Sequence, residues 1–108
     1  MMSLIFRIDE EKSLALLGRD EKNFREYIDI VCNNAGMDKV GEDEYIVREG
    51  YDEDTVIGGL TLAWGDRKEL VDSLSEWYWI DDSLPPDDDE YCIDLISETY
   101  DFKEKYGW

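Results

Sequence analysis

The chain has 108 residues, of which 29 are acidic, 11 basic and none histidine, for a formal charge of −18. That charge argues against nucleic acid or an anionic membrane as a direct ligand, since both repel such a surface and no Lys/Arg patch is present, and the lack of histidine excludes Ser-His-Asp and Cys-His catalysis and His-containing zinc centres. A hydrophobic share of 43% with 13% aromatics sets it apart from acidic disordered chains, and the length predicts one domain over residues 1–108 with a single modest core.

In chain order, Ser3 to Ile8 predicts a strand, rich in β-branched and aromatic residues. Glu10 to Leu17 reads as a short helical turn closed by Gly18. Asp20 then stands as an N-cap, and Phe24, Tyr27, Ile28, Val31, Cys32 and Ala35 recur at helical spacing up to Gly36. Glu44 to Glu49 and Thr55 to Trp64 read as two strands of a hairpin with a turn over Gly50 to Asp54 and a weak point at Gly58-Gly59. Asp66-x-x-Glu69 resembles a capping box, opening a helix whose apolar stripe is Leu70, Val71, Leu74, Trp77 and Tyr78. Pro85-Pro86 ends that unit. Asp87-x-x-Glu90 repeats the capping pattern ahead of a final helix carrying Tyr91, Cys92, Leu95, Ile96, Thr99 and Phe102, although Tyr91 to Tyr100 also alternates as a strand does. The expected fold class is α+β: a small antiparallel sheet of about three strands packed with about three helices.

Motifs for chemistry are missing. No phosphate-binding glycine loop occurs. Asp81 to Glu90 and Asp52-Glu53-Asp54 supply oxygens without the glycine and terminal glutamate of a calcium loop, and Cys32 and Cys92 fit no metal or redox spacing and are expected to be free thiols. No catalytic residue, metal or cofactor is therefore expected, and the chain is read as a non-enzyme. Met1 to Asp9 is too short and too polar at Arg7 for a signal peptide or a spanning helix, so a cytoplasmic location is expected.

The charge is regional. Up to Gly41 there are eight acids and six bases; from Glu42 onward there are twenty-one acids and five bases. One concentration comprises Glu42, Asp43, Glu44, Glu49, Asp52, Glu53 and Asp54. The other runs from Glu69 to Phe102 with no Lys or Arg: Glu69, Asp72, Glu76, Asp81, Asp82, Asp87, Asp88, Asp89, Glu90, Asp94, Glu98 and Asp101. Ordinary solvated surfaces mix signs. On a final helix, Asp87, Asp94, Glu98 and Asp101 would share one face, with neighbours four apart separated by about 6 Å, a scale comparable with phosphates that advance about 3.4 Å per nucleotide on each strand. Trp77, Tyr78 and Trp79 could not all face the core from one helix, which makes Trp77 and Trp79 candidate interface anchors beside the acids.

In size, charge, lack of histidine and the mixture of acids with aromatics over Glu69 to Asp101, the chain resembles the acidic inhibitors made by phages and mobile elements: anti-CRISPR proteins, anti-restriction proteins and inhibitors of DNA glycosylases. The resemblance implies a DNA mimic that occupies the positively charged channel of a nuclease or CRISPR effector of the bacterial host, a basic nucleic-acid-binding protein, without performing chemistry. Its partner surface would comprise Glu42, Asp43, Glu44, Asp52, Glu53 and Asp54, the twelve acids from Glu69 to Asp101, and Trp77 and Trp79. The alternatives are an immunity protein that neutralises a basic nuclease toxin and a halophilic or calcium-binding acidic domain. Monomer and homodimer are both open.

Overall fold

Leu4 and Phe6 are fully buried while Arg7 is exposed, and this alternation makes Met2–Ile8 a strand, β1, in the computed structural model, which describes residues 1–108. Two helices follow as expected. In α1 (Glu10–Leu17) the Asp9 side chain accepts from the Lys12 amide, and Gly18 ends the helix at φ 66°. In α2 (Glu21–Ala35) the Asp20 side chain accepts from the Asn23 amide, Phe24, Ile28 and Cys32 are buried one turn apart, and Gly36 closes the helix at φ 103°.

The hairpin lies elsewhere than expected. Met37–Lys39 (β2) pairs with Glu44–Val47 (β3), and the turn is tied by the Val40 and Gly41 amides, which both donate to the Glu44 carbonyl. Thr55 to Trp64, expected as a strand, belongs to helix α3 (Glu53–Gly65). The β-branched run at Thr55 to Ile57 masks a helical pattern in which Ile57, Leu60 and Trp64 are buried at i, i+3 and i+7. The deciding local feature is Asp52, whose carboxylate accepts from both the Thr55 amide and the Thr55 hydroxyl and so nucleates the first turn.

The helix expected from Asp66 through Tyr78 also fails. Only α4 (Lys68–Asp72) forms, with Arg67 and not Asp66 at its N-cap and no side-chain capping bond. The Ser73 hydroxyl donates back to the Glu69 carbonyl, and the chain leaves as β4 (Leu74–Asp81). Trp77, Tyr78, Trp79 and Ile80 are strong strand formers, and β1 is there to pair with. The final expected helix divides in the same way: Cys92–Asp94 is strand β5, and α5 spans Leu95–Tyr106 with the Asp94 carboxylate accepting from the Ile96 and Ser97 amides. The fold is therefore α+β as expected, but with five strands and five helices in place of about three of each.

The sheet is antiparallel throughout, in the order β2-β3-β1-β4-β5, which puts the first strand of the chain at its centre. Its register with β4 is shifted by a bulge between Arg7 and Ile8. All five helices serve one face. There Leu4, Phe6, Tyr45, Val47 and Trp77 of the sheet meet Phe24, Ile28, Cys32, Ile57, Leu60, Trp64, Leu70, Val71 and Leu95 of the helices. Trp64 is the aromatic hub, edge-on to Phe6 at 5.2 Å and stacked on Phe24 at 6.0 Å.

Candidate partner-binding surface

Because helices cover one face of the sheet, the side chains of alternate strand residues stand on the other. Cross-strand register arranges them in two rows across the sheet. One row is Asp38, Ile46, Ser3, Ile80 and Cys92; the next is Glu44, Ile5, Tyr78 and Asp94. Arg7 begins a third row, where its guanidinium holds Asp43 at 3.0 Å and Glu76 at 2.8 Å. Both carboxylates favour the charged guanidinium, so Arg7 titrates even higher than usual.

The two acidic concentrations meet at the opposite end of the molecule. Met2 pairs with Asp81 in the sheet, and its amide donates to Glu53 Oε2 at 2.5 Å, while the Met1 ammonium holds Asp82 at 2.8 Å. Asp54, at the start of α3, lines a shallow cleft with Met2, Trp79, Leu84, Ile93, Asp81 and Glu90. Residues that lie about thirty positions apart in the chain thus form one anionic rim. The connection between β4 and β5 extends it with Asp87, Asp88, Asp89 and Glu90, all exposed and none in an ion pair within the chain. Local bonds shape this loop: Asp81 accepts from the Ser83 hydroxyl at 2.6 Å and amide at 3.1 Å, which holds its carboxyl below the usual range, and Asp88 accepts from the Glu90 amide at 2.8 Å.

Several of the expected partner residues have other duties. Glu69 binds Arg67 at 2.9 Å; a backbone hydrogen bond at the start of α4, and then Arg67, keep its carboxyl low. Asp72 receives Lys68 at 2.7 Å and the Tyr100 hydroxyl, and although burial opposes ionisation these donors hold its carboxyl low. Asp52 and Asp94 are helix caps. The cation-free stretch of sequence is thus partly neutralised in space by Arg7, Arg67 and Lys68.

The ladder of Asp87, Asp94, Glu98 and Asp101 on one helix face does not exist. Asp87 lies in the loop before β5, Asp94 stands at the end of β5 as a cap, and only Glu98 and Asp101 are exposed on α5. The Glu42 to Asp54 stretch is likewise divided, with Glu42, Asp43 and Glu44 at the Arg7 end of β3 and Asp52, Glu53 and Asp54 past its other end. Trp77 is fully buried and belongs to the core, because on a strand it points with Leu4 and Phe6 toward the helices; Trp79 shares that face and is partly exposed at the cleft.

What the sequence reasoning missed is the apolar centre of the open sheet face: Ile5, Ile46, Tyr78 and Ile80. The signal was present, since Leu4-Ile5-Phe6 and Trp77 to Ile80 are unbroken apolar runs, and a strand that does not alternate has two apolar faces. No group of three or more Asp, Glu or Cys side chains converges on a point able to hold a metal ion, and no helix is long and apolar enough to cross a membrane. No protein-family model, curated protein or solved structure matches this chain.

Proposed function

We propose that this chain is a non-enzymatic inhibitor that binds, through its carboxylates, the positively charged nucleic-acid-binding surface of a nuclease or CRISPR effector, in the manner of an anti-CRISPR or anti-restriction protein. The observation that carries the reading is the anionic rim where half-buried Glu53 and Asp81 stand with exposed Asp54 and Glu90, continued by exposed Asp87, Asp88 and Asp89, so that carboxylates from separate parts of the chain gather with no Lys or Arg paired to them. Such a rim attracts a basic groove and steers its approach, and the attraction is screened beyond about 8 Å at physiological ionic strength. The departure from a helical ladder changes the form of the mimicry: the carboxylates sit on a loop and a helix start, not along one rigid rod.

The test is capture of a basic nucleic-acid-binding protein from a bacterial lysate on the immobilised chain, followed by competition with DNA. The captured protein is expected to lose its DNA as the chain is added, with affinity falling steeply as salt rises. Replacement of Asp87, Asp88 and Asp89 by asparagine is expected to weaken capture while the fold stays intact. A captured protein that binds DNA equally well with the chain in place would overturn the reading.

A further inference from the structure

In two-layer antiparallel architectures the face turned away from the helices is ordinarily polar. Here the three middle strands break that rule. Ile46 on β3, Ile5 on β1, and Tyr78 and Ile80 on β4 are partly exposed on the open face, and none is part of the core or packed against it. They are contiguous: Ile5 stands opposite Tyr78, and Ser3, nearly buried between its neighbours, stands opposite both Ile46 and Ile80. Around them stand Asp38, Asp43, Glu44, Glu76 and Asp94. The cations of this face are Arg7 and Arg48, and both are already taken, Arg7 by Asp43 and Glu76 and Arg48 by Asp38 at 3.0 Å.

We propose that this face docks an amphipathic helix of a cationic protein, with the helix's apolar stripe on Ile5, Ile46, Tyr78 and Ile80 and its Lys and Arg side chains reaching Glu44 and Asp94, the two carboxylates of this face that no cation of the chain already holds. Size and charge together select the occupant. Two rows over three strands measure roughly 10 Å across, the width of one helix with its side chains, about 10 Å. A second copy of the chain would set these carboxylates against their own counterparts, with no free cation on either side to offset the repulsion. A helix with basic flanks meets the acids on both sides and removes the exposed apolar surface from water. The proposal rests on the reading of the chain as a ligand of a basic protein, and adds to its carboxylates an apolar contact that salt does not screen.

The experiment uses the whole chain and two synthetic peptides of about 18 residues, five helical turns. One has leucine and lysine arranged on opposite faces of a helix; the other has the same composition scrambled so that no face is apolar. Two-dimensional amide NMR is expected to show the amphipathic peptide shifting Ile5, Ile46, Tyr78 and Ile80, with affinity at least about ten-fold above the scrambled peptide. Ile46→Lys combined with Ile80→Lys is expected to lower that affinity about ten-fold or more. Should the lysines unfold the chain, Ile46→Thr with Ile80→Thr keeps β-branched shapes and serves the same purpose. Equal affinity for both peptides, or shifts confined to residues 81–90, would overturn the proposal, as would a dimer in sedimentation that the Ile46 and Ile80 substitutions dissociate. A double variant that fails to bind the amphipathic peptide yet still strips DNA from a captured nuclease would sink helix docking as the mode of inhibition and leave the inhibitor. Peptide binding as expected, beside a captured protein that keeps its DNA, would sink the inhibitor and leave the docking face.

Discussion

The Tyr45 hydroxyl donates to Asp29 Oδ1 at 2.5 Å, tying the middle of β3 to α2. Arg25 completes the junction, donating to the same hydroxyl at 3.1 Å and to the Phe6 carbonyl on β1 at 2.6 Å. The ring beneath is 1% exposed and meets Phe6 edge-on. Tyr45→Phe keeps the packing but strips two polar groups of a partner, and is expected to cost about 1–2 kcal/mol in urea unfolding. Burial, reinforced by the bond to Asp29, pushes the Tyr45 hydroxyl well above its ordinary value of 10.0. The native state therefore keeps a proton that the unfolded chain gives up, so stability is full below about pH 10 and falls as pH rises beyond it. Tyr45→Phe is expected to flatten part of that alkaline decline, measured as urea midpoints between neutral pH and pH 11.

The two thiols differ sharply. Cys92 is exposed on the outer face of β5, whereas Cys32 is buried in α2, where burial, followed by the charge of Asp29, pushes its thiol up to about 12. Only a thiolate attacks a disulfide reagent. One equivalent of Ellman's reagent is expected to react promptly with the native chain, and the second only at the rate of unfolding; two fast equivalents would contradict the packing of α2.

Asp94 has two roles that substitution can separate, for its carboxylate caps α5 through the Ile96 and Ser97 amides while its charge faces the open side of the sheet beside Tyr78. Asparagine caps as well as aspartate does, and alanine does not. Asp94→Ala is expected to lose about 1 kcal/mol of stability, seen in thermal melts, and Asp94→Asn almost none, while both weaken binding to a cationic partner.

Gly18 and Gly36 both end helices with positive φ, yet their surroundings differ. A Cβ at Gly18 would meet nothing within 4 Å, whereas one at Gly36 would lie 2.7 Å from the Tyr51 ring. Gly18→Ala is expected to cost about 1 kcal/mol from backbone strain alone. Gly36→Ala costs more, since the Tyr51 ring must also leave its place beside Arg48. Parallel denaturation curves of the two variants test the difference.

The first third of the chain was legible because each signal there is local: Asp9 and Asp20 cap, Gly18 and Gly36 terminate, and Phe24, Ile28 and Cys32 repeat at helical spacing. Beyond Met37 the outcome depends on pairing. Residues 74–81 can be written as the end of a helical stripe, and they become a strand because Phe6 and Leu4 stand ready opposite Trp77 and Trp79. Thr55 to Trp64 errs the other way, since its β-branched start hides the Asp52 cap. The candidate surface followed the same division. The surplus of acids was visible from composition, but whether they lie on a rod, a loop or a sheet depended on these elements, and the apolar centre of the open face came into view only with the register.

Placing the earliest strand in the middle of the sheet constrains how the protein can be made. β1 leaves the ribosome with neither neighbour, gains β3 after another forty residues, and must wait for β4 before its second edge is closed. Assembly of the sheet is therefore dominated by distant pairings, which slow folding. A chain cut short before Leu74 would carry a bare, strongly apolar edge along Leu4, Ile5 and Phe6, an invitation to pair with other chains, so proteolytic fragments and premature stops in this gene product are expected to precipitate, not persist as soluble half-domains.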